Sequence, residues 1–258
     1  MIKRILILFA IAQLSMMGYS QTPKWAEKAK KAVFSVVTYD TNDKILNTGN
    51  GFFISEKGVA ISDYALFKNA QRAVIITSEG EKMPVKAILG ANDMYDVVKF
   101  SVDITSKKVA NLTLSETPMT EGTKLWLLPY STQKVRSLTS GNVNSVDKIS
   151  DYAYYTINLP LKEKMVSCPL MNDEGLVVAL AQKASGQDTA TICYGVDARF
   201  ANSQEITAIS YNDYALKQIG IKKALPETED QALIFLYMVS SQVDAEQYAS
   251  LLNDFIAQ

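Results

Sequence analysis

Two cysteines, Cys168 and Cys193, are the strongest nucleophiles this chain offers, and Ser167 stands beside the first of them. A thiol attacks only as its thiolate, and a free thiol with a pKa near 8.5 needs a neighbouring base or cation to reach that form. A serine hydroxyl needs a base even more, and histidine is the usual one. The chain has no histidine at all. No lysine is placed by the sequence to substitute in a Ser-Lys arrangement, and the cysteine spacing matches no metal motif. No cofactor is expected. The two cysteines therefore have two quieter readings. They can form a disulfide, if their Cα atoms lie within about 7 Å, or they can be buried thiols that act as small apolar residues.

The candidates sit in Lys164-Met-Val-Ser-Cys-Pro-Leu-Met-Asn-Asp-Glu-Gly175, a polar turn that runs into the apolar stretch Leu176–Ala181. Such a turn must be held by the elements around it, and the chain supplies mostly strands. β-like runs cover Val33–Tyr39, Gly51–Ser55, Val59–Ser62, Ala73–Ser78, Met83–Leu89 and Val97–Val102. A second set covers Lys124–Pro129, Lys134–Leu138, Gly141–Val146, Tyr152–Leu159, Leu176–Ala181 and Ala190–Val196. Turn signals such as Glu56-Lys57-Gly58 and Glu79-Gly80 separate them, and short strands spaced this closely favour an all-β sandwich or barrel. The polar stretch Thr105–Glu121 divides the sets. A short amphipathic helix is expected over Pro23–Ala32. Beyond Ala201 the pattern turns helical, with Asp230–Ser241 and Ala245–Ala257 forming a helical hairpin and Asp244 as an N-cap.

Residues 1–20 read as a signal peptide. Lys3 and Arg4 form the positive end, Ile5–Leu14 the apolar core, and Gly18-Tyr19-Ser20 the small residues before a mature start near Gln21. Gln13 and Ser15 interrupt the run short of the ~20 apolar residues of a membrane span. The expected product is exported, periplasmic or extracellular, with no membrane contact after signal removal. Charge balance excludes a general nucleic-acid partner: 26 basic residues face 27 acidic ones, and no basic run occurs. Apolar residues make up 48% of the 258, enough for a sizeable core.

Three segments together resemble the trypsin-like serine peptidases of the Deg/HtrA type. Gly49-Asn-Gly-Phe-Phe-Ile54 followed by Gly58-Val-Ala-Ile-Ser62 is similar to that family's Gly-Ser-Gly-Phe hairpin, which leads into Thr-Asn-x-His-Val-Val. The corresponding run here is Ser62-Asp63-Tyr64-Ala65-Leu66-Phe67, with Ala65 at the histidine position. Asn92-Asp93-Met-Tyr-Asp96-Val-Val-Lys-Phe-Ser-Val102 resembles the segment of the catalytic aspartate, which Asp96 matches. Aligning Pro169 with the proline of Gly-x-Ser-Gly-Gly-Pro-Leu places Val166 at the serine and Lys164 at the oxyanion glycine.

The resemblance implies a mainly β fold of two six-stranded antiparallel barrels, in a domain over 21–200 with halves at about 33–104 and 122–198. Residues 201–258 would form a C-terminal helical segment, whose hairpin resembles one tetratricopeptide-like unit. It also implies a degenerate triad at Ala65, Asp96 and Val166, hence an inactive homologue acting as a binding or scaffold module. A peptide or protein partner, bound by strand addition, is the expected contact. The alternative is a residual serine or cysteine peptidase that uses Ser167 or Cys168. Asp96, with no imidazole to orient, is expected to accept hydrogen bonds at a strand start.

Overall fold

The computed structural model describes residues 22–257, apart from 105–107, 136–137 and 185–190. The expected signal peptide at 1–20 lies outside the described residues. Twelve strands occur among them. The first six are β1 (Val33–Tyr39), β2 (Ile45–Phe53), β3 (Val59–Ser62), β4 (Arg72–Ile76), β5 (Lys82–Asn92) and β6 (Val97–Val102). They close into an antiparallel barrel in the order β1-β2-β3-β6-β5-β4. The second six are β7 (Lys124–Leu127), β8 (Thr139–Ile149), β9 (Tyr152–Ile157), β10 (Pro169–Met171), β11 (Val177–Lys183) and β12 (Cys193–Asp197). These close in the order β10-β11-β12-β9-β8-β7. With the barrels numbered separately, the two orders are the same. The fold is the pair of six-stranded barrels expected, and each closed ladder leaves no long unpaired edge.

Two strand assignments need correction. Lys134–Leu138 contributes no strand among its described residues, while Pro169–Met171 is a strand that the pattern missed. Three residues starting with a proline carry no period, yet Leu170 and Met171 pair with β7 on one side and β11 on the other. The N-terminal helix is one turn, α1 (Ala26–Ala29), continued by a 3₁₀ turn at Lys30–Ala32.

Alternation along β1 explains how the layers separate. Phe34 and Val36 point into barrel 1, where Phe34 meets Phe53 edge-on at 4.8 Å between ring centres. Val33 faces the opposite way, into a second cluster with Phe52, Ile61, Trp126, Met171 and Val177 that joins the barrels. Barrel 2 has its own core around Leu125, Tyr155, Ile157 and Leu170. Gly175 sets the turn into β11. Its φ of +83° is left-handed, and a side chain there would strike the Trp25 ring at 2.7 Å. Asn172 Oδ1 accepts from the N–H groups of Glu174 and Leu176, which completes the turn.

The C-terminal segment packs into barrel 1. After the one-turn helices α2 (Tyr64–Phe67) and α3 (Tyr214–Lys217) come α4 (Glu229–Val239) and α5 (Ala245–Ile256). Thr228 and Asp244 cap α4 and α5 by accepting from Gln231 N–H and Gln247 N–H. Ile206, Leu216, Ile219, Phe235, Leu236, Val239 and Leu251 share one buried cluster with Phe34, Phe53 and Phe100. Backbone bonds also cross: Ile88 N–H donates to Lys222 and Ala224 N–H donates to Ile88, as a short parallel strand contact.

Candidate functional site

The cleft between the barrels is built from two half-sites. In barrel 1, β3 delivers Ser62 and Asp63 to the start of α2, which carries Ala65. Asp96 lies just before β6 with φ +52°, a left-handed conformation that aspartate tolerates better than most residues. From there its Oδ1 accepts from Ala65 N–H at 2.7 Å, and its main-chain oxygen accepts from Tyr64 N–H at 3.2 Å. The carboxylate so satisfies a free donor at the first turn of α2. Desolvation raises its pKa, and the Ala65 bond offsets part of that rise. Ala65 and Asp96 are thus in direct contact, with a methyl group where an imidazole would be needed.

The half-site from barrel 2 comes from a 3₁₀ turn at Glu163–Met165 and the residues after it. Val166 N–H donates to Glu163 at 3.3 Å, and Cys168 N–H donates to Met165 at 3.3 Å. Ser167 has φ +65° and donates its N–H to Ala181 at 2.9 Å. An oxyanion pocket needs N–H groups aimed at the cleft. Here the Val166 N–H is consumed by its own turn. The carbonyls of Lys164 and Val166 instead point to barrel 1, where Asn50 Nδ2 donates to them at 3.0 and 2.7 Å. Asn50 is itself buried, and its main-chain oxygen accepts from Ser62 Oγ at 2.5 Å. The loop thus spends the Val166 N–H and two of its carbonyls on bonds within the chain.

Asp63 is the most perturbed acid of the cleft. It is 4% exposed, and its Oδ1 has no hydrogen-bond partner among the described residues. Burial pushes its pKa up to about 8, the nearby Asp96 charge adds to the rise, and a hydrogen bond from the Ser167 hydroxyl works against it. At neutral pH Asp63 is therefore mainly a carboxylic acid. The influence of Ser167 crosses from one half-site to the other. Ser167 itself is 1% exposed, so its hydroxyl is shut away from any substrate in the cleft.

Cys168 and Cys193 are both buried free thiols. Cys168 lies next to β10 and accepts from Ala181 N–H, whereas Cys193 pairs with Lys183 on the far side of β11. One whole strand separates them, and two strand spacings of about 4.8 Å exceed the reach of a bridge. Burial pushes both thiols up to about 12. Neither is a nucleophile at neutral pH.

Tyrosines close the rest of the cleft. Tyr154 packs on Tyr194 with ring centres 5.4 Å apart, and burial, then Tyr194 and Asp96, push its hydroxyl up to about 12. Gln182 Nε2 donates to Tyr95 at 2.8 Å, another link between barrels. No group of three or more acidic, cysteine or histidine residues able to hold a metal ion occurs among the described residues.

The sequence reading missed Asp63 and Asn50. Both stand inside the motifs already quoted, Asp63 at the asparagine of Thr-Asn-x-His and Asn50 at the serine of Gly-Ser-Gly-Phe. An ionisable side chain in place of a neutral amide was the available signal.

Comparison with known proteins agrees with this architecture. The family model described as trypsin-like peptidase domain matches residues 49–180. A search of curated proteins gives no match. Among solved structures, a serine endoprotease from Yersinia pestis superposes with a TM-score of 0.58 at 15% identity, over 72% of this chain and 65% of that one. This chain thus spans less than two thirds of the length of that structure, and at this identity the likeness concerns the fold.

Proposed function

The chain belongs to the trypsin-like peptidase family, and we propose that it is a member without peptidase activity, acting as a binding or scaffold module for a peptide or protein. One observation carries this reading. The loop that should present an oxyanion site has its Val166 N–H bonded to Glu163 and its carbonyls bonded to Asn50. Acyl transfer needs a nucleophile, a base and a donor pocket. Val166 and Ala65 supply neither of the first two, and the third loses the Val166 N–H to a bond with Glu163. The alternative centred on Ser167 or Cys168 has no support in geometry, because both residues are buried and the chain has no histidine to serve as their base.

Labelling with a fluorophosphonate probe, alongside casein digestion, tests the reading on the purified protein. No labelling and no turnover are expected. Turnover that disappears in Ser167→Ala, or on alkylation of Cys168, would overturn it. Export belongs to the same proposal. Its support is the Lys3–Ser20 pattern, and no helix among the described residues is long and apolar enough to cross a membrane. Mass spectrometry of the protein recovered from the periplasm or medium should give a start near Gln21.

A further inference from the structure

A cavity of about 640 Å³ lies away from the cleft, between the outer face of barrel 1 and the C-terminal segment. That volume falls within the 300–1,000 Å³ typical of small-molecule sites. Its wall is mostly apolar, with Val59, Leu89, Leu225, Phe235 and Met238 among the lining residues. The apolar surface continues onto the rim, where Ile209 is 80% and Ile234 60% exposed.

One cation reaches into this space. Lys99 lies on β6 between Val98 and Phe100, whose side chains fill the barrel, so alternation turns Lys99 outward into the cavity. Its ammonium donates to the Gln204 carbonyl at 3.2 Å. Gly90 on the neighbouring strand makes that contact possible, because a Cβ there would lie 2.8 Å from Gln204. Lys99 forms no ion pair among the described residues. Glu205 and Glu227 act on it from the rim, beyond ion-pair distance, and both are exposed to water. Desolvation is the larger influence and lowers the Lys99 pKa. A half-buried ammonium with three donors and one described acceptor is short of partners.

We propose that this cavity binds a single-chain amphiphile, with a carboxylate head against Lys99 and an alkyl tail along the apolar wall. A carboxylate supplies both missing acceptors and a direct ion-pair partner, which Glu205 and Glu227 at the rim do not, in a place where water screens the pair poorly. The acidic rim fixes the orientation. A head group left at the mouth would face Glu205 and Glu227, so the anion is directed inward. The site is independent of the cleft and of whether the protein cleaves peptides.

Calorimetric titration of the full mature chain with decanoate, decan-1-ol and decylammonium, below their aggregation concentrations, tests this. Decanoate should bind at one site per chain, at least tenfold tighter than decylammonium. Lys99→Met should weaken decanoate at least tenfold and leave decan-1-ol within about twofold. Ile234→Asp changes an exposed rim residue and so spares the fold; it should weaken both ligands, decanoate at least as much as decan-1-ol. Unchanged decanoate binding in Lys99→Met, equal binding of decylammonium, or no effect of Ile234→Asp would overturn the proposal. So would sedimentation showing that the apolar rim is closed by a second copy of the chain, with decanoate excluded.

Discussion

The two barrels follow one strand order, yet they differ in how they close and in what they bring to the cleft. Barrel 2 seals its own core around Tyr155 and Leu170. Barrel 1 completes its core with side chains from the C-terminal segment, Phe235 among them. At the cleft, barrel 1 keeps a carboxylate, Asp96, while the loop of barrel 2 has bonded its Val166 N–H to Glu163. The contrast is one of structural use. A carboxylate that accepts from Ala65 N–H satisfies a backbone donor whether or not an imidazole is present. N–H groups held ready for an oxyanion have no partner until a ligand arrives, whereas one bonded within the chain is satisfied at all times. Val166 and Glu163 form that bond.

The largest test concerns closure. A chain ending at Ala224 loses α4 and α5 and should lose cooperative unfolding, read by circular dichroism on heating. In the full chain, Phe235→Ala should cost about 3–5 kcal/mol in urea unfolding, the usual range for a buried phenylalanine. If the shortened chain melts cooperatively, barrel 1 is as self-sufficient as barrel 2 and the contrast fails.

Next comes the acid pair. The folded pKa of Asp63 stands at about 8 and its unfolded value at 3.8. Between these, the folded state holds a proton that the unfolded state has released, so stability falls as pH rises through the window and levels off above about 8. The slope reaches at most about 1.4 kcal/mol per pH unit. Asp63→Asn should remove most of it, measured as unfolding midpoints from pH 4 to 9. A wild-type curve that rises with pH over this range would show Asp63 ionised and otherwise partnered.

A smaller effect is expected at the join. Asn50→Ala strips two carbonyls of their donor and should cost about 1–3 kcal/mol, with faster proteolysis at Lys164. The smallest effect sharpens the comparison most. The double variant Ala65→His, Val166→Ser restores a base and a nucleophile on paper, but fluorophosphonate labelling should stay within about tenfold of background. Strong labelling would mean that the loop opens readily and that its closed form is no barrier.

Much of the fold was legible because the strands follow simple rules. β1, β3 and β6 were bounded residue for residue by alternation and flanking turns. β10 was not, since its pairing comes from neighbours on both sides and leaves no mark on three residues. α2 is a single turn held by Asp96 from the turn between β5 and β6, which local propensity does not reveal. At the site, the alignment named Ala65, Asp96 and Val166, of which Ala65 and Asp96 are in contact, but it did not name Asn50 or Asp63. Asn50 and Asp63 act through contacts more than 100 residues away in sequence, with Lys164 and Ser167 respectively. Only the folded chain brings those partners together.

Sharing a core between barrel 1 and α4 also has a kinetic consequence. Phe34 and Phe235 share one buried cluster although about 200 residues of chain separate them, and clusters of such separation are slow to form. During synthesis barrel 1 emerges first but cannot finish, while the buried cluster of barrel 2 lies wholly within 125–193 and can close as soon as that stretch is available. The half that is made first is thus the half that matures last, and its apolar interior stays open until α4 arrives.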